Sequence, residues 1–206
     1  IFVDSYGRDL KIYYKSNEGK TVSFTYTGIE KNIPNNSYVQ SVVTAVNYNI
    51  NNGGGWPTQN ALGPELTLIV QQTAGVSIHA YGNIFCNPEM GVETDIGNIL
   101  SPATILDHEI DHGTQRVTKP DQYFKDTATK SQAYDNKEEV RVITGSEQVT
   151  ASANGEIKRG GVTRTNHNKG RTVITNGVTS TKIDEAKTKK FRENEKEKIE
   201  KQSIEW

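Results

Sequence analysis

The sequence predicts a single α+β domain, and three observations carry that expectation. Residues 9–27 alternate polar with apolar or aromatic side chains, a helix with clear apolar periodicity follows Ser37, and further short alternating runs precede a well-capped helix at Pro102. The resulting order is two strands, two helices and two strands before the next helix. Elements grouped in runs in this way point to α+β rather than to a regular strand-helix repeat.

Composition bounds the class before any motif is read. Of 206 residues, 33% are hydrophobic, a low share, and 24% are charged, so Thr, Asn, Ser and Gly make up the difference. Apolar periodicity is concentrated between residues 10 and 150. The expected division is a domain over residues 1–182 followed by a charged helical tail over 183–206 that lowers the average. Lys plus Arg is 24 against 25 for Asp plus Glu, with a pI near 6.5, which leaves no global basic field to hold nucleic acid. No apolar run reaches the roughly 18 residues that span a membrane. The single cysteine, Cys86, excludes an internal disulfide framework and a zinc site built on sulfur. No signal-peptide pattern opens the chain, and Ile1-Phe2-Val3 reads as a strand already in progress, as in a domain cut from a longer polypeptide.

Each element has its own warrant. Lys11–Tyr14 and Thr21–Tyr26 flank the turn-forming Ser16-Asn17-Glu18-Gly19-Lys20 and read as a β-hairpin. Ser37 can cap a helix whose Val39, Val42, Val43, Val46 and Ile50 recur at helical spacing, and Asn51–Pro57 breaks it. Residues 59–72, with Leu62, Leu66, Ile69 and Val70, suggest a second amphipathic helix. Val76–Tyr81 and Asn83–Cys86 read as paired strands, with His79 a structural or cleft-lining residue and Cys86 a small buried apolar one. Gly91–Ser101 is a loop with weak strand character.

The chemistry lies at residues 101–113, Ser-Pro-Ala-Thr-Ile-Leu-Asp-His-Glu-Ile-Asp-His-Gly. Ser101 is a good N-cap, Pro102 suits the first helical position, and Gly113 is expected to stop the helix. Within it, His108 and His112 project from one face a turn apart and can clamp one metal ion. Glu109 is then placed to take a proton from a water that the metal polarises. At about 100° per residue, Ile105, His108, Glu109 and His112 share one arc, while Asp107 and Asp111 lie opposite, facing solvent or supporting the ligands from behind. The usual pattern has uncharged residues at those two positions.

A catalytic zinc site needs a third protein ligand. Thr118 stands where an extended motif would carry a third histidine, so the ligand is sought downstream. Asp135 or Asn136 can cap a helix over residues 137–149. Val142 and Ile143 define its buried face, with Glu139 in the middle of that face and Glu138 at its edge. A carboxylate aimed into a core needs a partner. A metal would provide one, as would Arg141 or Arg164. Glu139 is the expected ligand and Glu138 the reserve. The stretch Gly160–Ile174 reads as a β-hairpin with His167 in its turn. His167, Arg164 or Tyr134 could stabilise an oxyanion over the cleft. Residues 184–202 read as a solvated helix of mixed charge.

The segment 101–113 and the stretch Glu138-Glu139-Val140-Arg141-Val142-Ile143, preceded by a polar hairpin, a capped helix and a Gly-rich break, resemble the effector-type zinc metallopeptidases. These include bacterial type III effectors and toxin domains at the C-termini of Rhs-type and other polymorphic toxins. The resemblance covers residues 10–150 and is most specific at 101–113. It implies a zincin-like single domain with a small mixed sheet and His-Glu-x-x-His on its active-site helix. It further implies Zn2+ as cofactor, a protein substrate, secretion or delivery into a target cell, and an immunity protein or delivery-system carrier as further partners. Neither nucleic acid nor membrane is an expected partner. Two other readings stand beside it: a metal-dependent nuclease toxin, supported electrostatically by Arg164–Arg171, and a non-catalytic secreted interaction module.

Overall fold

The computed structural model describes residues 9–28, 31–54, 67–73, 75, 78–80 and 82–204. The expected hairpin forms from β1 (Asp9–Lys15) and β2 (Thr21–Tyr26), antiparallel with Ile12 opposite Phe24. Helix α1 (Ser37–Asn51) follows. Its cap is Asn36 rather than Ser37: the Asn36 side chain accepts from the backbone N–H groups of Tyr38 and Val39.

The second amphipathic helix does not form where it can be seen. Thr67–Gln72 is strand β3, while Leu62 and Leu66 lie outside the described residues. The physical reason is position in the sheet. β3 runs parallel to β1 on one side and to β5 (Asn83–Cys86) on the other, and its side chains alternate, with Leu68 and Val70 in the core and Ile69 half-buried on the opposite face, a period that the run Leu-Ile-Val does not display. β4 (Ile78–Ala80) pairs antiparallel with β5, as expected, and closes the mixed sheet in the order β2-β1-β3-β5-β4.

Residues 91–101 hold more regular structure than expected. β6 (Met90–Glu93) pairs with β7 (Ile99–Leu100) and with β10 (Arg171–Ile174), giving a three-stranded antiparallel sheet. Only this last strand survives from the hairpin expected over 160–174, because β10 finds its partner in β6. Residues 160–170 are irregular.

Helix α2 (Pro102–Thr118) carries the motif and runs past Gly113. A Cβ at Gly113 would stand 3.4 Å from Leu68 and 3.7 Å from His79, so this glycine lets the helix lie close against the sheet instead of ending it. Helix α3 (Pro120–Ala128) follows directly. A two-stranded ribbon of β8 (Lys130–Ser131) and β9 (Asp135–Asn136) then leads into α4 (Lys137–Val142). The helix expected over 137–149 is divided. Residues Ile143–Glu147 form a wider π-turn, and α5 (Gln148–Ala153) continues from it.

The main core joins Leu10, Ile12, Leu68, Val70 and Ile84 of the sheet to Val39, Val42 and Val46 of α1 and to Ala103, Leu106 and Ile110 of α2. A smaller cluster of Leu100, Ile105, Ala151 and Ile157 lies on the other side of α2. The motif helix is thus held from two directions, by Ala103, Leu106 and Ile110 in the main core and by Ile105, on the arc of His108 and His112, in the smaller one. The tail forms helix α6 (Glu185–Ile204). It is moored at its start, where Thr188 Oγ1 accepts from the backbone N–H of Ile174 at 2.9 Å. Among the described residues, no helix is long and apolar enough to cross a membrane.

Ser101 caps α2 by accepting from the backbone N–H of Thr104, and its hydroxyl donates to Glu156. Burial pushes the Glu156 carboxyl up to about 7, against hydrogen bonds from Ser101 and Thr104 that oppose the shift. A carboxyl raised in the folded state favours the protonated form. Its contribution is therefore full below its ordinary value of 4.5 and is lost as pH rises through 7. This group should remove at most about 3 kcal/mol of stability between pH 5 and 8. Glu156→Gln should flatten that slope and be the more stable protein at pH 8. Urea midpoints at the two pH values check this, and parallel wild-type and variant curves would contradict it.

Candidate metal centre

Three expected residues converge. His108 Nε2 and His112 Nε2 lie 3.1 Å apart, His108 Nε2 is 3.4 Å from Glu139 Oε2, and His112 Nε2 is 3.3 Å from Glu139 Oε1. Donors bound to one small tetrahedral cation about 2.0–2.2 Å away stand about 3.3 Å apart, so these separations suit a single ion. Glu139 Oε2 is also buried and faces only imidazoles, at distances longer than a good hydrogen bond, so a cation between them would satisfy it. His108, His112 and Glu139 thus form a cluster that could bind a metal ion.

The remaining ring nitrogens are held from behind. His112 Nδ1 lies 3.1 Å from Glu138 Oε1, and His108 Nδ1 lies 2.8 Å from Glu147 Oε2. With Nδ1–H donated to a carboxylate, Nε2 is left to the metal, the arrangement that fixes tautomer and ring orientation in histidine sites. Glu138, the reserve ligand, is therefore an orienting residue. It also accepts from Gln115 and from Arg141, and stands outside the cluster of His108, His112 and Glu139.

Asn136 caps α4 by accepting from the Glu139 backbone N–H, so the residue two positions before Glu138 sets the pitch of both glutamates. Glu147 was not expected. In a straight helix it would sit about 80° round from Glu139, and the π-turn winds less per residue and returns it to the face toward α2. It is fully buried and also accepts from Thr163 Oγ1 and from the Arg164 guanidinium. Arg164 and Arg141 pair with Glu147 and with Asp111 and Glu138, so neither offsets Glu139. The pairing Arg141–Asp111 and the bond from Thr150 to Asp107 show that both aspartates are buried struts between helices, with neither facing solvent.

Electrostatics follow from these contacts. Burial lowers the His108 imidazole, but its bonds to Glu139 and Glu147 outweigh that and raise it to about 10. Glu147 is held near 2 despite burial, by His108 and Arg164, and Glu139 lies well below the carboxylate range beside the two imidazoles. The field that stabilises protons on these rings also favours a divalent cation between them.

A cleft of about 380 Å³ opens over the cluster. Glu109, His79, Tyr123, Arg164 and His167 line it together with the three ligands. Glu109 accepts from the backbone N–H of His79, and burial raises its carboxyl against the pull of the imidazoles. His167 Nε2 is 3.7 Å from Glu139 Oε2 and stands outside the ligand cluster. Tyr134 donates its hydroxyl to the Arg164 carbonyl instead of reaching toward the ion. Tyr123, half-buried beside His79 at 3.4 Å, is a cleft residue that no sequence pattern singled out. The chain matches no protein-family model, no curated protein and no solved structure.

Glu138→Gln should weaken metal affinity about 10–100-fold, read by competition with a chromophoric chelator. Glu147→Ala should also cost about 3–5 kcal/mol of stability, because it leaves Arg164 buried without its partner. Chemical denaturation measures that loss, and a variant as stable as wild type would remove Glu147 from its proposed role.

Proposed function

We propose that the chain is a zinc-dependent metalloendopeptidase of the effector type, with a zincin-like fold. The observation that carries this reading is the convergence of His108 Nε2, His112 Nε2 and Glu139 on one point, with Glu109 beside it at the floor of the cleft. Two imidazoles, one carboxylate and an accessible side are the donor set of a catalytic zinc rather than of a closed structural one. Zinc held there supplies a Lewis acid that acidifies water and polarises a peptide carbonyl.

The chain's own groups do the rest. Glu109 takes a proton from the attacking water on its free carboxylate oxygen and passes it to the departing amine nitrogen. Its raised carboxyl suits a group that must accept a proton and then release it. His167, which lines the same cleft, is the group assigned to the charge that develops on the carbonyl oxygen. The substrate is a protein of a target cell reached by secretion or delivery, with an immunity protein or a delivery-system carrier as further partners. The nuclease reading draws less support, since Arg164 is buried against Glu147 and Arg171 lies 3.6 Å from Glu93.

Glu109→Gln should retain one zinc per chain and an unchanged melting temperature while losing at least about 100-fold in cleavage rate. Incubation with a target-cell lysate and mass spectrometry of new termini reads this out; a variant that still cuts would sink the assignment. Zinc at 100 times its Kd should stabilise the chain by about 2.7 kcal/mol, and a chelator should reverse the rise in melting temperature.

A further inference from the structure

The β8–β9 ribbon leads into α4, the helix that carries Glu139. At its end, Asp135 is the one non-glycine residue among the described residues with a left-handed backbone, at φ 62°. Such a conformation is unfavourable for a residue other than glycine, and it persists where the surroundings demand it. Here the demand is visible. One Asp135 oxygen lies 2.6 Å from His167 Nδ1, and the other accepts from Asn168 Nδ2. The His167 backbone N–H donates to the Ala133 carbonyl at 3.0 Å, and Tyr134 holds the Arg164 carbonyl. Three consecutive residues of the ribbon thus grip the irregular segment around His167.

All three imidazoles near Glu139 therefore share one design, with Nδ1 on a carboxylate: Glu147 for His108, Glu138 for His112 and Asp135 for His167. His167 differs in place. Its side chain is 29% exposed, and its Nε2 lies beyond the ligand cluster on the cleft side. It is close enough to meet whatever the ion holds, and too far to be one of the three ligands.

We propose that Asp135 is a positioning residue that turns His167 Nε2 toward the open side of the metal, and that the pair forms the anion-binding half of the site. The ligand class is an oxyanion, either a carboxylate or hydroxamate oxygen or the developing oxyanion of a peptide carbonyl. A carboxylate on Nδ1 fixes the ring's orientation and stabilises the charge it carries when Nε2 donates. The proposal rests on the metallopeptidase reading only for the presence of a metal.

The test uses the cobalt-substituted chain, whose visible spectrum reports ligands added to the ion, titrated with acetohydroxamate. Cobalt should bind stoichiometrically to wild type, His167→Ala, Asp135→Gly and Asp135→Asn. Glycine accepts the left-handed backbone without strain, so Asp135→Gly removes the carboxylate and not the fold. Both Asp135→Gly and His167→Ala should weaken acetohydroxamate about tenfold, the loss expected for one charge-assisted hydrogen bond. The double variant should be no weaker than His167→Ala alone, and Asp135→Asn, which keeps a carbonyl acceptor, should fall between wild type and Asp135→Gly. Equal affinities in all proteins, or additive losses in the double variant, overturn the assignment. So does a fall in cobalt affinity on His167→Ala, which would make that residue a ligand. No cobalt spectrum in the wild type would instead overturn the metal reading itself, and this proposal with it.

Discussion

Burial of charge along α2 is the constraint from which the rest of the site follows. The helix is inaccessible from Pro102 to Gly113 yet carries Asp107, His108, Glu109, Asp111 and His112. An isolated buried charge is costly, so each must meet a partner at the depth where it sits. The segment α4–π-turn–α5 supplies them in register: Glu138 for His112, Arg141 for Asp111, Glu147 for His108 and Thr150 for Asp107. Glu139 lies between these struts, and its oxygens meet the two histidine Nε2 atoms on the cleft side. The ligand set is thus a by-product of neutralising a helix. Glu109 accepts from the backbone N–H of His79 and lines the cleft.

What could be read from the sequence was what local rules determine. The hairpin over residues 9–27 and the periodicity of α1 depend on neighbours in the chain, as do the Ser101 cap, Pro102 at its first turn and the Asn136 cap. The His108–His112 pair and the inward aim of Glu139 needed only helical spacing. Apart from the cap of α1, which is Asn36 and not its neighbour Ser37, the main misreadings involve long-range partners. β3 resembles a helix in sequence because its character comes from parallel neighbours 58 or 14 positions away, as at Lys11–Ile69 and Ile69–Asn83. Gly113 resembles a stop because its role is to approach Leu68. The sequence of Ile143–Glu147 does not announce a π-turn, and without it Glu147 falls on the wrong face.

The segment 160–170 shows a different route to order. It has no regular structure, and its backbone is held by side chains from elsewhere. Asn98 reaches the Val162 and Thr163 carbonyls, Asp95 binds Thr165, Glu147 binds Thr163 and Arg164, and the β8–β9 ribbon binds His167 and Asn168. Polar loop composition with few apolar anchors is what makes such a segment unreadable as structure, yet the same side chains fix it as firmly as a ladder would. One wall of the cleft is built this way, which places Arg164 and His167 on a scaffold rather than on a free loop.

The low hydrophobic share has two sources, and the charged tail is only one. The interior itself is polar: Thr104, Thr150, Thr163, Thr175 and Thr188 are buried along with the ionised groups. These threonines join elements, as Thr150 joins α5 to Asp107, Thr163 joins the loop to Glu147 and Thr188 joins α6 to β10. A core of this kind gains less from burial than an apolar one of equal size. It gains instead in discrimination between arrangements. A slip of α4 along α2 by one turn would part Glu138 from His112 and Arg141 from Asp111 together, whereas an apolar seam would merely repack. The pairing acts as a register device, and register is what a metal centre needs, because a ligand set displaced by an ångström no longer meets at one point.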